Sequence, residues 1–143
     1  MIKILIIEDE IPARRKLKRF IAELEISTKI VSEIDTVEQG IEFLQNNQTD
    51  IIFSDIELLD GNAFEIYHEV PVSCPIIFTT AYDQFWMGAF ESNGIDYLLR
   101  PFSQERFQKA WDKFLLLRNS SSDEKEWMAS LKELVKHNWR KAV

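Results

Sequence analysis

Ile4-Leu5-Ile6-Ile7-Glu8-Asp9-Glu10 sets four consecutive apolar residues directly before three carboxylates. An unbroken apolar run of that length, closed by polar residues, suits a strand covered on both faces, as in a parallel sheet. The pattern recurs at Ile51-Ile52-Phe53 and Ile76-Ile77-Phe78, and more weakly at Lys29-Ile30-Val31 and Asp96-Tyr97-Leu98-Leu99. Stripes of helical spacing lie between these runs. They are Leu17, Phe20, Ile21 and Leu24; Val37, Ile41 and Leu44 with Phe43; Phe64 and Tyr67; then Phe85, Ala89 and Phe90. The strongest is the last, Phe107, Ala110, Trp111, Phe114, Leu115 and Leu117. Five strands alternating with five helices predict an α/β fold, a doubly wound five-stranded parallel sheet with helices on both faces. Right-handed crossovers put every strand's carboxyl end on one edge.

Composition sets the outer limits. The chain has 143 residues, 45% hydrophobic and 29% charged, which suits a single soluble globular domain with a short appendage. Its formal charge of −7 argues against a nucleic-acid surface spread over the whole chain. Cys74 is the single cysteine, so neither an internal disulfide nor a cysteine-based zinc site can form. No apolar run approaches the ~20 residues of a membrane span, and the run after Met1-Ile2-Lys3 is too short for a signal peptide. A cytoplasmic location is expected. The polar stretch Asn119-Ser120-Ser121-Ser122-Asp123 marks a break, and charge shifts with it. Residues 1–118 carry 12 basic and 20 acidic side chains, residues 119–143 five and four. Asp123 with Glu126 reads as a capping box ahead of Trp127, Leu131, Leu134 and Val135. The expected division is therefore a main domain at 1–118 and a linker with an extra C-terminal helix at 119–143.

In such a sheet, ligands bind beyond the carboxyl ends of the strands, where strand order reverses. Glu8, Asp9 and Glu10 follow the first strand, Asp55 and Glu57 the third, Thr79 and Thr80 the fourth, and Arg100-Pro101 the fifth. Gathering Glu8, Asp9 and Asp55 creates like-charge repulsion, which either raises a pKa or is relieved by a cation. Oxygen-only donors fit a hard ion such as Mg²⁺. Arg100 and Thr80 are placed to meet an anion beside that ion, so the edge reads as a metal-plus-phosphoryl site. Taken singly, each residue also has a plain structural role. Asp9 and Glu10 suit the cap of a helix beginning near Pro12, Asp55 a turn, Thr80 a helix cap, and Arg100 a solvated end.

Together these stretches resemble a response-regulator receiver (CheY-like) domain. The residues that carry the resemblance are Ile6-Ile7-Glu8-Asp9-Glu10, Ile52-Phe53-Ser54-Asp55-Ile56 with Asp60-Gly61, Phe78-Thr79-Thr80-Ala81-Tyr82, and Asp96-Tyr97-Leu98-Leu99-Arg100-Pro101-Phe102. Pro12-Ala13-Arg14, Thr80-Ala81-Tyr82-Asp83 and Ala89-Phe90-Glu91 are most similar to receivers of the LytTR (LytR/AlgR) class. The resemblance implies strand order 2-1-3-4-5 and a two-component system in which a sensor histidine kinase phosphorylates Asp55. It implies Asp9 as a direct Mg²⁺ ligand, Glu8 as its water-mediated neighbour, and the Glu57 backbone carbonyl as a third protein oxygen. Thr80 would bond a phosphoryl oxygen, and Tyr97 would turn inward as the second switch residue. Glu57 and Tyr82 would border the path of attacking water and tune phospho-aspartate lifetime. Output would be transcriptional, through a LytTR DNA-binding domain absent from this chain, so that DNA is met only through that domain.

One residue departs from the family pattern. Arg100 stands where the family carries lysine, and a planar two-pronged guanidinium differs from a compact ammonium. That leaves open a pseudo-receiver acting as a phosphorylation-independent interaction or dimerisation module. A Mg-dependent phosphohydrolase of the haloacid-dehalogenase type would need a second acid acting through its side chain two residues after Asp55, and Glu57 is a poor substitute. A flavodoxin-like binder would need a phosphate loop where Glu8-Asp9-Glu10 stands. The responsive surface is expected on the fourth helix, fifth strand and fifth helix. There Asp83, Glu91, Asp96, Glu105 and Asp112 mingle with Arg106, Lys109, Lys113 and Arg118, which suits a homodimer. The basic run Arg14, Arg15, Lys16, Lys18 and Arg19 reads as a kinase-docking or solvated face. The Pro101 position suggests a cis peptide.

Overall fold

The computed structural model describes residues 1–81 and 93–119. Five parallel strands form the sheet: β1 (Ile2–Ile7), β2 (Thr28–Ile34), β3 (Ile51–Asp55), β4 (Ile76–Thr80) and β5 (Gly94–Leu99), in spatial order β2-β1-β3-β4-β5. This is the expected 2-1-3-4-5 arrangement. The described helices are α1 (Ile11–Ala22), α2 (Val37–Asn46), α3 (Phe64–Glu69) and α4 (Gln104–Asn119). The helix expected around Phe85, Ala89 and Phe90, and the C-terminal helix, lie outside the described residues.

Period-two alternation explains the unbroken apolar runs. Ile4 and Ile6 of β1, Ile51 and Phe53 of β3, and Ile77 of β4 pack with Leu17, Phe20 and Ile21 of α1 and with Phe107, Trp111 and Phe114 of α4. Leu5, Ile7, Ile52, Ile76 and Phe78 point the other way, onto Val37 and Leu44 of α2 and Ile66 and Tyr67 of α3. Both faces are therefore covered, and a polar residue inside either run would lose its water. β2 is the edge exception. Only Ile34 of its seven residues is buried, so its sequence signal is short while its pairing with β1 runs from Ile2–Thr28 to Ile7–Ile34.

Two local features aim the site. In β5 the register with β4 slips, Ile76 facing Gly94 but Ile77 facing Asp96. The extra residue, Ile95, turns Asp96 and Leu98 toward the α1–α4 side and leaves Tyr97 against the α2–α3 core. The second is the chain after β3, where Glu57–Leu58 and Gly61–Asn62 form a small antiparallel hairpin that the sequence reading did not anticipate. Its Gly61 has φ +155°, in the region that favours glycine. Asp60 then fastens this loop to α2, its Oδ1 accepting from Val37 N at 2.6 Å and its Oδ2 from Glu38 N at 3.2 Å. These bonds, the Val37 one foremost, hold the Asp60 carboxyl below the usual carboxylate range. Thr36 completes the cap by accepting from Gln39 N.

Candidate functional site

Asp55 ends β3, Glu8 and Asp9 follow β1, Thr80 ends β4 and Arg100 follows β5, so four strand ends supply one edge. Glu8 and Asp55 are buried, at 3% and 1% exposure, while Asp9 is half-buried. One carboxylate oxygen from each of these three residues lies within 4.8 Å of the other two. Arg100 enters the same cluster. Its Nη1 donates to Glu8 Oε1 at 3.1 Å and its Nη2 to Asp55 Oδ2 at 3.2 Å, and Nη1 also reaches Glu10 Oε2 at 3.5 Å. The Arg100 backbone is pinned as well, its N–H donating to the Thr80 carbonyl at 2.7 Å. The Arg100–Pro101 peptide is cis, as the sequence suggested.

The remaining carboxylate oxygens meet backbone. Asp55 Oδ1 accepts from Ile56 N at 2.7 Å, and Glu8 Oε2 accepts from Glu10 N at 3.1 Å. Glu10 occupies the N-cap position of α1 with extended backbone and makes no side-chain cap, so the simple capping role for Asp9 and Glu10 is not what the structure shows. Arg14, from the basic run, donates to the Glu8 carbonyl at 2.8 Å and faces Glu33, while Lys18 bonds Glu33 at 3.1 Å. Lys16 lies over the Phe102 ring at 5.1 Å.

Electrostatics follow from this crowding. Three carboxylates, Glu8, Glu10 and Asp55, meet the Arg100 guanidinium in one partly dry place, with the Asp9 carboxylate beside them. Burial, with the Asp55 charge next in weight, pushes the Glu8 carboxyl up to about 8. Burial also raises the Asp55 carboxyl, against the opposing pull of its bond with Glu8, of Arg100 and of the Ile56 N–H. The donor set is all oxygen, and a small ion with bonds of about 2.1 Å spaces its ligands about 3–4 Å apart, so Glu8, Asp9 and Asp55 fit a divalent cation after a small adjustment. Beside the cluster is a cleft of about 390 Å³ bordered by Glu8, Glu10, Lys16, Thr79, Arg100 and Phe102. Thr79 pairs with Asp55 across the sheet.

The other expected residues take varied places. Thr80 is buried at the end of β4. Glu57 is exposed in the hairpin, and its carboxylate is outside the acidic cluster. Tyr97 is half-buried, its N–H donating to Asp96 Oδ1 at 2.8 Å. Tyr82, Asp83 and Glu91 lie outside the described residues. Asp96 requires a correction. It was expected among surface charges, but it is fully buried and paired within the chain to Arg106, at 2.6 Å, and to Lys113, at 3.4 Å. The register slip at Ile95 is the cause, because it turns this side chain toward α4. Sequence reasoning also missed Asp60 and Glu10 as working groups; the Asp60-Gly61 turn pair was the available signal for the first.

The sequence profile described as the response regulator receiver domain matches residues 4–112. The chain is 38% identical over 129 residues to the Sensory transduction protein LytT of Bacillus anthracis, covering 88% of this chain and 52% of that protein. It is 40% identical over 114 residues to the Transcriptional regulatory protein LytR of Staphylococcus aureus, covering 78% of this chain and 46% of that one. It thus spans about half the length of the curated relatives it matches. A two-component response regulator crystal structure from Clostridium difficile superposes with TM-score 0.69 at 32% identity, over 84% of this chain and all of that one. The chain belongs to the response regulator receiver family, as a receiver domain of two-component response regulators related to LytT and LytR.

Proposed function

We propose that Asp55 is the phosphoacceptor of this receiver, taking a phosphoryl group from the phosphohistidine of a sensor histidine kinase. The observation that carries this reading is the buried carboxylate of Asp55, set at a strand end among Glu8, Asp9 and the Arg100 guanidinium. An Asp55 oxygen attacks phosphorus, the P–N bond to the donor imidazole breaks with its electron pair left on nitrogen, and an acyl phosphate forms. Asp9, Asp55, Glu8 through water, and the Glu57 carbonyl would hold Mg²⁺. When bound, Mg²⁺ spreads the charge of the transferred group and offsets the repulsion among these carboxylates. Arg100 gives the incoming oxygens a cation, and its buried Nε has no hydrogen-bond partner among the described residues, so one donor is in hand for a new anion. The Thr80 hydroxyl bonds a phosphoryl oxygen, and Tyr97 follows by turning further into the sheet.

The domain carrying this chemistry is residues 1–118, consistent with a family match that stops at 112 and an α4 that ends at Asn119, with 119–143 as a separate appendage lying almost wholly outside the described residues. Output is transcriptional, through a DNA-binding domain in the part of the relatives that this chain does not span, and the working place is the cytoplasm. No helix among the described residues is long and apolar enough to cross a membrane. The switching face, the segment after β4 with β5 and α4, serves a homodimer. On its described part Arg106 and Lys113 bind Asp96, and Arg118 binds Asp50, which leaves Glu105, Lys109 and Asp112 of the charges considered without an ion pair among the described residues.

Incubation with acetyl phosphate and Mg²⁺ tests the assignment by intact mass and peptide mapping. The expected product carries one phosphoryl group, on Asp55. A phosphohydrolase turns the donor over without accumulating product. An unmodified protein would sink the phosphoacceptor reading and favour the pseudo-receiver, for which the occupied Arg100 bridge is the supporting observation. Glu57 and Tyr82 are assigned to lifetime. The paired exchange Glu57→Asn with Tyr82→Glu is expected to change the rate of phosphoryl loss, read as decay of the modified mass after donor removal; an unchanged rate removes both from that role.

A further inference from the structure

We propose that Arg100 is a built-in counter-cation of the acidic site, and that its two-pronged grip on Glu8 and Asp55 competes with a divalent ion and sets how tightly this chain holds one. The inference rests on the reading of Glu8, Asp9 and Asp55 as the metal-binding carboxylates.

The oxygens of the two buried acids carry the argument. Glu8 and Asp55 have four carboxylate oxygens between them, and all four are engaged. Two accept from backbone N–H groups, those of Ile56 and Glu10, which move only if the loops move. The other two accept from separate nitrogens of Arg100, at 3.1 and 3.2 Å. Among the described residues, Arg100 is thus the one side chain spanning both acids. Asp9, by contrast, has no hydrogen bond or ion pair among the described residues, so its carboxylate is free to take a cation first. A divalent ion drawing on Asp9, Glu8 and Asp55 must then share two oxygens with a guanidinium or displace it.

The position of Arg100 is held from several sides. Its backbone N–H is bonded to Thr80, its side chain is 19% exposed, and Glu10 grips Nη1 from the solvent side. A planar fork fits two acceptors at once, with little loss of freedom per bond formed. A lysine at the same place brings the same charge as a compact, strongly hydrated point on a flexible stem, and it lacks a fork to link the two acids. Charge alone therefore predicts equal metal affinity for arginine and lysine at residue 100, whereas the fork predicts a difference.

Isothermal titration with Mg²⁺ separates these readings. Arg100→Lys is expected to bind Mg²⁺ about tenfold more tightly than the wild type, the change expected for one lost charge-assisted hydrogen bond. Equal or weaker binding by the variant, with the wild type still binding, overturns the inference and leaves the metal-site reading standing. Binding by neither protein overturns both. A measurement on the wild type alone guards against a variant that fails to fold. The Arg100 guanidinium NMR signals should show hindered rotation in chelator and freed rotation at saturating Mg²⁺. Signals that stay the same across that titration overturn the inference as well.

Discussion

Lowering the pH from 8 to 6 is expected to weaken Mg²⁺ binding by a factor of about 50, approaching tenfold per pH unit at the acid end, because Glu8 must give up a proton to serve the ion. Its carboxyl, pushed up to about 8 by burial and then by the Asp55 charge, is largely protonated at pH 6 in the metal-free protein. An ordinary exposed carboxylate pair would show almost no such dependence, since it is ionised throughout that interval. Titration calorimetry in buffers of different ionisation enthalpy reads both the affinity and the protons released. Close to one proton is expected at pH 6 and few at pH 9. The same shift fixes the sign for stability. A raised carboxyl pKa means that the folded chain keeps a proton which the unfolded chain has released above its own value of about 4.5. Stability in chelator therefore falls as pH rises from there toward about 8, while stabilisation by Mg²⁺ grows over the same interval. Melting curves with and without Mg²⁺ should diverge as the pH increases. A pH-independent affinity would show that Glu8 is already ionised.

The sequence showed the edge plainly because strands buried on both faces allow few readings. Ile4 to Ile7, Ile51 to Phe53 and Ile76 to Phe78 each had to be central strands, and the first polar residues after them had to share an edge. β2 was clearer in position than in extent, since an edge strand with exposed Lys29 and Glu33 carries a weak apolar signal. What local pattern could not show were pairings set by small irregularities and by distant partners. The register slip at Ile95 reverses the face of Asp96, and one inserted residue does that without any mark in composition. The Asp60 cap on α2 joins residues more than twenty positions apart, and the Glu10 contact with Arg100 joins residues ninety apart. Each depends on tertiary placement, so the site's members were legible but the division of their hydrogen bonds was not.

Asp55→Asn is expected to abolish phosphodonor-dependent modification and, in chelator, to yield a more stable protein than the wild type. The two effects share a cause. Burial raises the Asp55 carboxyl despite Arg100 and the Ile56 N–H, so its charged form costs more in the folded chain than in the unfolded one. Asparagine keeps the size and an acceptor for Ile56 while removing the charge that also raises Glu8. A gain of about 0.5–2 kcal/mol is the scale common for a single stabilising substitution. Chemical denaturation in chelator at pH 7.5 measures it. The sign should reverse on adding Mg²⁺, because the wild type gains binding energy that the variant, short of one anionic ligand, largely loses. A variant less stable than the wild type in chelator would mean that the Arg100–Asp55 contact outweighs the cost of the buried charge. Asp55 would then be a structural partner of Arg100 before it is an acceptor. Crossing stability orders with and without the ion would instead mark a group kept against the interest of the resting fold, for what it does once a cation and a phosphoryl donor arrive.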